Sequence, residues 1–313
     1  MPKTFTELTR HAVNGATMGT RWSALFHMPD NFDIAPVQTA MAAAVDEVDG
    51  QMSTWKPGSD LSRLNTAHPG EWITLPERLL TVLSAGLAIG HASGGAFDIG
   101  MGDAVIAWGF GPDVADQRRI KAARVTERLA AHEGLELDSA RGRGRKHADL
   151  HFDLNGIAKG YGVDRLTEVA REHGIDAGLF AIDGELRALG IQPDGRAWTI
   201  AIEEPAFDAR APHSILQLRD AAVATSGDYR HWIDVDNRRL SHTMDPRLGM
   251  PLTQSPASVT VIASDCMSAD AWATAMMVLG ETRGLPLAEK LGLSVLFLYH
   301  GTVEPAGCGL FAP

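Results

Sequence analysis

A carboxylate and a hydroxyl stand four residues apart in an apolar stretch near the C-terminal end of the chain. Asp270 and Thr274 lie in ADAWATAMMVLG (269–280), and on a helix they would share one face. A buried carboxylate needs a partner, and Mg²⁺ would suit it because this ion leaves room for phosphate oxygens. A structural alternative stays open, with Asp270 favoured by the helix dipole and Thr274 bonded back to a carbonyl.

A strand, a turn and a helix over FDLNGIAKGYGVDRL (152–166) form a second candidate site. Gly156 lies in the turn, and Lys159 lies in the first turn of the helix, where unpaired N–H groups can hold an anion such as phosphate. Asp153, at the strand end, could accept a hydrogen bond from a base or ribose, or could cap the helix. The pattern also fits an ordinary capped turn, since neither a Walker loop nor a GxGxxG is present.

A histidine beside a turn is the candidate general base. His242 precedes Asp245 by three residues in LSHTMDPRLGMPL (240–252). A histidine near a carboxylate can accept a proton near neutral pH. Because the chain has 12 histidines, a hydrogen-bonded structural role is the alternative for this one. The motifs GxSxG, HExxH and CxxC are all absent from the sequence.

Three further segments offer contacts to a ligand. Residues 94–112 combine glycines and aromatic residues with Asp98, which suits either a loop around a planar ligand or a turn with core aromatics. Trp55, in a polar stretch, could stack on a ring. Residues 225–227 (Thr-Ser-Gly) are expected at a strand end, where the backbone could contact a ligand.

The elements that must position these residues are helices and neighbouring strands. Hydrophobic patterns predict helices over 36–50, 74–94, 124–134, 157–173 and 267–290. Strands are predicted over 148–154, 179–190, 198–203, 213–218, 258–263 and 294–299. Thr74 and Glu77 have the spacing of a capping box. Because several strands are adjacent in sequence, we expect an α+β fold (mixed α/β), with a mixed or mostly antiparallel sheet packed by helices.

Composition excludes several classes of protein. The 313 residues carry 28 basic and 39 acidic side chains, a net charge of −11, which argues against broad nucleic-acid binding. Cys266 and Cys308 cannot make a disulfide framework or a cysteine-based zinc site, and whether they pair stays open. No polar linker divides the chain, so we expect a single domain over residues 1–313 with two sublobes.

The N-terminal residues lack the apolar region of a signal peptide, and no apolar run is long enough for a membrane span. We therefore expect a cytoplasmic protein as the sequence is written, or a periplasmic one if a leader has been removed.

Taken together, the segments resemble one family, the FAD:protein FMN transferases or ApbE-like flavin transferases. The resemblance extends from Met18 to the helix at 269–280 and depends on the order and spacing of the segments. These are ATMGT, MSTWKPGSDLSRLN, GAFDIG with WGFGP, DLNGIAKGYGVD, ATSGDY, SHTMDPRLG and ADAWATA.

The resemblance implies a T-fold-like core and a specific chemistry. Members of the family transfer FMN from FAD to a Ser or Thr hydroxyl of an acceptor protein, release AMP and require Mg²⁺. We therefore expect FAD as substrate, Mg²⁺ as cofactor, and an acceptor flavoprotein with a Ser/Thr-containing flavinylation motif as partner. The product would be a post-translational modification, and neither a nucleic acid nor a membrane span is expected.

The resemblance also implies roles for individual residues. His242 would be the base that takes the proton of the acceptor hydroxyl. The metal ligands would be the side chains of Asp270 and Thr274 and the carbonyls of Gly156 and Ala273. The FAD site would be lined by Met18, Trp55, Ala96, Phe97, Asp98, Asp153 and Lys159. Beside the cofactor would lie Thr225, Ser226, Gly227 and Thr243.

Departures from the family pattern are few, and none removes a proposed ligand. The family usually has Gly at Asn155, Thr at Gly100, Pro at Asp103 and Asp at Glu185. Two other functions remain alternatives. One is an Mg²⁺-dependent FAD pyrophosphatase giving FMN and AMP, and the other is a non-catalytic flavin-binding assembly factor.

Overall fold

The structure is a computed structural model that describes residues 8–125, 128–206, 211–228, 232–235, 238–301 and 304–312. The helices are α1 (Ile34–Met52), α2 (Asp60–Thr66), α3 (Glu77–Ala92), α4 (Gly102–Ala107), α5 (Gln117–Val125), α6 (Ala131–Gly134), α7 (Ala158–Glu172) and α8 (Cys266–Leu291). The strands of the first half are β1 (Leu8–Thr17), β2 (Thr20–Pro29), β3 (Ile73–Thr74), β4 (Leu135–Asp138) and β5 (Arg143–Lys146). The remaining strands are β6 (Gly178–Ile182), β7 (Glu185–Leu189), β8 (Trp198–Glu203), β9 (Pro212–Leu218), β10 (Ala222–Gly227), β11 (Trp232–Val235), β12 (Arg238–Ser241), β13 (Met244–Asp245), β14 (Met250–Pro251), β15 (Ser258–Ala263), β16 (Ser294–Leu298) and β17 (Ala306–Cys308).

The main sheet organises the fold. Within the described residues it has eight strands in the order β1-β2-β6-β7-β10-β15-β16-β17, and all neighbouring pairs are antiparallel. Short hairpins β8-β9, β11-β12 and β13-β14 and the small sheet β3-β5-β4 complete the strands. This confirms the predicted α+β fold with a mostly antiparallel sheet.

The first hairpin shows how local sequence sets the register. β1 and β2 are joined by Met18 and Gly19, whose φ angles of 46° and 72° are both positive. Such a two-residue turn matches the twist of the flanking strands. Along β2, the side chains of Trp22, Ala24 and Phe26 alternate into the core. The turn consequently holds Met18 at one end of the sheet.

Helices α7 and α8 pack side by side on one face of the sheet. Gly160 of α7 lies so close to α8 that a Cβ there would come within 2.3 Å of the Cys266 carbonyl oxygen. The α8 residues Ala269 and Ala273 are fully buried. Because these side chains are small, the two helices approach closely, and their first turns reach the same end of the sheet.

The β8-β9 hairpin covers the opposite face of the sheet. On β10, Val223 points to this side, whereas its neighbours Ala222 and Ala224 join the core under the helices. Val223 belongs to a cluster that includes Trp198 of β8 and Leu218 of β9. The alternation of β10 side chains therefore builds two separate cores.

Four predictions differ in the structure. The single strand expected over 179–190 is the β6-β7 hairpin, because the chain reverses at Asp183 and Gly184. The helix expected over 124–134 is divided between α5 and α6, and residues 126–127 lie outside the described residues. The strand expected over 148–154 makes a single bridge, from His151 to Met101, because it runs beside α4 rather than within a sheet. The Thr74–Glu77 capping box was wrong: Thr74 belongs to β3, and α3 begins at Glu77 after Pro76, which makes no side-chain capping bond.

Cys266 and Cys308 are both free and buried, so they do not pair. Among the described residues, no helix combines the length and the apolar character needed to cross a membrane.

Candidate active site

A cleft of about 1440 Å³ opens where the β1-β2 turn, the β6-β7 turn and the end of β10 meet. Its volume exceeds the ~300–1,000 Å³ of a typical small-molecule pocket, which leaves room for a large ligand. The sequence-predicted site residues that line it are Met18, Trp55, Ala96, Phe97, Asp98, Asp153, Gly156, Lys159, Thr225, Ser226, Gly227, His242, Thr243, Asp270 and Thr274. Only Ala273 of the predicted set lies outside this lining, fully buried on α8 beside Thr274.

The first turn of α8 is fixed by two carboxylates. Asp265 caps the helix by accepting a hydrogen bond from the Ser268 N–H at 2.8 Å. Asp164 of α7 accepts from the N–H groups of Cys266 and Met267, both at 2.9 Å, and pairs with Arg187 of β7. These contacts satisfy the unpaired donors of a helix start and lock α8 to α7 and to the sheet.

Asp270 lies one turn into α8 and is 4% exposed. One of its oxygens accepts a hydrogen bond from the Gly160 N–H at 2.9 Å. Burial raises the pKa of Asp270 to about 8, and the neighbouring Glu185 adds to the rise, whereas Lys159 opposes it. The protein thus holds a carboxylate whose negative charge its own groups do not fully compensate.

Two hydroxyls and a glycine converge next to this carboxylate. Thr274, one helical turn after Asp270, has its Oγ1 3.3 Å from the Ser226 Oγ at the end of β10. A Cβ on Gly156 would lie 3.0 Å from the same Thr274 oxygen, so the Gly156 backbone passes directly beside it. Carboxylate, hydroxyl and carbonyl oxygens are the donors that Mg²⁺ takes, and the set fits that ion.

In the described part of the chain, no three His, Cys, Asp or Glu side chains gather into a metal-binding group. The predicted metal set does not require one, since it contains one carboxylate, one hydroxyl and two backbone carbonyls.

Lys159 enters the cleft as part of an ion-pair cluster. Its Nζ lies 2.9 Å from Glu185 Oε1 and 3.5 Å from Asp183 Oδ2. Burial by itself would lower the pKa of Lys159, but the carboxylates of Glu185, Asp270 and Asp183 raise it above its usual value. The ammonium group is consequently charged over the whole physiological range.

Glu185 and Asp183 are cleft residues whose place in the site the sequence analysis did not predict. Glu185 appeared there only as a departure from the family pattern, and Asp183 was missed. The available signal was a pair of acidic residues flanking Gly184 inside the apolar run LFAIDGELRALG. Glu185 is 3% exposed, and burial raises its pKa, although Lys159 opposes the rise.

Asp153 is held by the turn that follows it. Its two oxygens accept hydrogen bonds from the backbone N–H and the side-chain amide of Asn155, at 2.9 and 3.0 Å. Burial raises the pKa of Asp153 to about 6, while the Asn155 N–H opposes the rise. The residue before it, Phe152, is clamped by the Asn65 side chain, which bonds both its N–H and its carbonyl.

Asp98 and the aromatic side chains form another wall of the cleft. Asp98 Oδ1 accepts from the N–H groups of Gly100 and Ala131, at 2.8 and 3.1 Å. Burial raises its pKa, and these two bonds oppose the rise. Phe97 is buried, whereas Trp55 is 59% exposed, which leaves its ring face open to a ligand.

His242 lies between β12 and β13 and is half-buried at the cleft. The adjacent Thr243 is buried, and its carbonyl accepts from the Leu252 N–H at 2.9 Å. The carboxylate of Asp245, three residues after His242, accepts hydrogen bonds from the backbone and guanidinium of Arg247. The structure therefore ties the segment after His242 into a short hairpin, β13-β14.

Comparison with known proteins gives a consistent result. The sequence model of the ApbE family matches residues 18–297. The chain is 36% identical to the FAD:protein FMN transferase of Vibrio cholerae over 292 residues, covering 91% of this chain and 86% of that protein. It is 31% identical to the protein of the same name from Escherichia coli K12 over 298 residues, covering 94% and 84%.

Solved structures agree with this. The flavin transferase ApbE from Vibrio cholerae superposes with a TM-score of 0.85 at 33% identity, covering 96% of this chain and 97% of that one. The ApbE protein of Thermotoga maritima gives a TM-score of 0.85 at 25% identity, covering 97% and 98%. With a family match over most of its length, relatives above 30% identity and a shared fold, this chain belongs to the ApbE family.

Proposed function

We propose that this protein is an FAD:protein FMN transferase that moves the FMN moiety of FAD onto a Ser or Thr hydroxyl of an acceptor protein. The observation that carries the proposal is the convergence of residues from distant segments of the chain on one cleft large enough for a dinucleotide. Its curated relatives bear this enzyme's name.

The reaction balances without any further reactant. The acceptor oxygen attacks the phosphorus of the FMN half of FAD, and a new P–O bond forms. The P–O bond to the AMP phosphate breaks, and AMP leaves with that bridging oxygen. His242 is proposed to take the proton of the hydroxyl as it attacks, a contribution worth about 10²–10⁴-fold in rate.

The other residues are proposed to bind and orient FAD. Lys159 offers a charged ammonium to the pyrophosphate at the positive end of the α7 dipole. The N–H groups of Ala158 and Gly160 are already bonded, to the Leu154 carbonyl and to Asp270. Trp55 and Phe97 present ring faces to planar parts of the substrate. Asp98 and Asp153, each held by backbone donors, provide fixed oxygens that can accept hydrogen bonds from FAD.

Asp270, Thr274 and the carbonyls of Gly156 and Ala273 are proposed to hold Mg²⁺. When bound there, the ion screens the charge of the pyrophosphate and stabilises the transition state of phosphoryl transfer. The raised pKa of Asp270 supports a cation at this position, because a buried carboxylate is stable in its charged form only beside a positive charge.

The test is intact-mass spectrometry of an acceptor domain incubated with the protein, FAD and Mg²⁺, with EDTA as control. A covalent gain of one FMN that is lost with EDTA is the expected result. Free AMP and FMN without that gain would instead indicate a pyrophosphatase, and intact FAD with several acceptors would indicate a flavin-binding factor. His242→Ala should retain FAD binding and slow the transfer about 10²–10⁴-fold.

A further inference from the structure

A small apolar cluster joins α4 and α5 to the segment that follows His242. We call α4, α5 and the residues between them the α4–α5 platform (residues 102–125). The cluster combines buried platform residues with Met101, just before the platform, and Met244. The platform members are Ala104, Val105, Ala107, Trp108, Ile120 and Ala123. Met244 is the one member that comes from the β13-β14 hairpin, two residues after His242.

Trp108 makes the central polar contact between the two parts. Its indole N–H donates to the Gly249 carbonyl at 3.0 Å, across 141 residues of sequence, and the side chain is 6% exposed. A buried indole N–H without an acceptor is destabilising, so this bond favours one position of the hairpin turn. Trp108 is not among the described residues that line the cleft, whereas its cluster neighbours Met101, Val105 and Met244 are.

Gly249 lies against the platform at a position that favours glycine in both its backbone conformation and its available space. Its φ is +59°, and a Cβ at this position would come within 2.2 Å of the Ala123 carbonyl oxygen. Arg128 donates to the same carbonyl at 3.0 Å and forms a two-point ion pair with Asp103 of α4. Asp103, where the family usually has Pro, thus takes part in fixing the surface on which Gly249 lies.

The platform is also fixed at its other end. The Gly102 N–H donates to the His151 carbonyl at 2.8 Å, and a Cβ on Gly102 would collide with that residue. His151 is two residues before Asp153, so the platform touches both the chain that carries Asp153 and the hairpin that follows His242.

We propose that Trp108 is a positioning residue for His242: through the Gly249 carbonyl it holds the β13-β14 hairpin so that His242 faces the cleft at a fixed distance from bound FAD. The role assigned to His242 depends on the proposed function. Trp108 itself touches neither substrate nor the reacting atoms.

The variant that tests this is Trp108→Phe, which keeps an aromatic ring in the cluster and removes the donor. Trp198→Phe is the matched control, because Trp198 is 3% exposed and donates its indole N–H to the Leu189 carbonyl at 3.2 Å, in the core on the other face of the sheet. Both variants lose one buried indole hydrogen bond, but only the first loses it beneath the hairpin.

The first measurement is hydrogen–deuterium exchange of peptides that cover residues 241–252. We expect faster exchange there in Trp108→Phe and unchanged exchange in Trp198→Phe. The proposal would be overturned if both variants lost protection from exchange to the same extent, or if neither variant lost any. Either result would count whatever the activity shows. This readout does not depend on FAD, Mg²⁺ or an acceptor.

The second measurement is the single-turnover rate of FMN transfer at saturating FAD. We expect Trp108→Phe to lower it about 5- to 50-fold with less than a twofold change in FAD affinity, because small misplacements of a catalytic group are costly. In a His242→Ala background, Trp108→Phe should cause no further loss, since residues acting as a unit are not additive. An equal loss in both backgrounds would contradict the positioning role. If His242→Ala alone transferred FMN at the normal rate, His242 would not be the base. The exchange comparison would then decide whether Trp108 anchors the β13-β14 hairpin.

Discussion

Lys159 and Glu185 form an ion pair in the lining of the cleft, between a half-buried ammonium and a buried carboxylate, with 2.9 Å between the ammonium nitrogen and one carboxylate oxygen. Within the described residues, the second Glu185 oxygen is buried and accepts no hydrogen bond. Asp183 approaches the same ammonium at 3.5 Å from an exposed position. Lys159 is therefore held in place by its buried partner before any substrate arrives.

This pair predicts unequal effects of two similar substitutions. Glu185→Gln should lower the free energy of unfolding by about 1–3 kcal/mol, because it leaves a largely buried cation without its closest partner. Asp183→Asn should change it by less than about 1 kcal/mol, since exposed ion pairs contribute little and Asn tolerates the positive φ of 54° at this position. Urea denaturation measures both. Equal losses of unfolding free energy in the two variants would show that burial does not determine how much each Lys159 ion pair contributes to stability.

Substitution of Asp270 should affect stability and activity in opposite directions. In metal-free protein, Asp270→Asn should leave the free energy of unfolding unchanged or raise it by about 1–3 kcal/mol, because a buried and uncompensated carboxylate is removed. FMN transfer should fall by at least about 10²-fold, since even outer partners of a metal ligand are worth roughly 10–100-fold. Thermal unfolding with EDTA and with Mg²⁺, together with the transfer assay, tests this.

Asp164→Asn is the matched control for that variant. Asp164 is also buried on the α7–α8 interface, and burial raises its pKa too, but Arg187 and two backbone donors of α8 oppose the rise. It should destabilise the protein by about 1–3 kcal/mol with or without Mg²⁺. A loss of stability in metal-free Asp270→Asn as large as in Asp164→Asn would argue against a metal role for Asp270.

The close approach of α7 and α8 at Gly160 should matter for both stability and activity. Gly160→Ala should cost about 1–3 kcal/mol of stability and lower activity, because the added Cβ would press on the Cys266 carbonyl and on Asp270. Gly50→Ala, at an exposed position of helix α1 with open space around it, should instead stabilise by about 0.5–1 kcal/mol. Chemical denaturation and activity assays on both variants separate the close approach from a general effect of glycine. Equal changes in the free energy of unfolding in the two variants would contradict this explanation.

Asp153 predicts a pH-dependent difference in stability. Its pKa is about 6 in the folded protein, above the value of 3.8 for an exposed Asp, so the folded state binds more protons between about pH 4 and pH 6. The contribution of this group is therefore present below about pH 4 and is lost as pH rises through about 6. Asp153→Asn does not titrate, so its stability relative to the natural protein should rise by about 2–3 kcal/mol from pH 4 to pH 7. Denaturation curves at the two pH values measure this difference in stability. A difference that does not change with pH would contradict the prediction.

The local sequence determined most of the elements and the types of residue in the site. Strands 198–203 and 258–263 and the long helix from 267 were predicted within about one residue, because alternation and helical periodicity reflect one-sided burial. Asp270 and Thr274 were placed on one helix face by their spacing alone. The family resemblance then supplied the roles that those residue types left open.

Tertiary structure decided what those residues touch. Sequence periodicity gives no information on the close approach of Gly160 to Asp270, on the Lys159–Glu185 pair, or on the bond from Trp108 to Gly249 across 141 positions. The 148–154 segment alternates like a strand yet lies beside α4, because pairing depends on which neighbour the fold brings to it. Burial also sets the charge of Asp270, since the same carboxylate in water would have an ordinary pKa. The chemistry of the site thus comes from the sequence, whereas its geometry and electrostatics come from long-range packing.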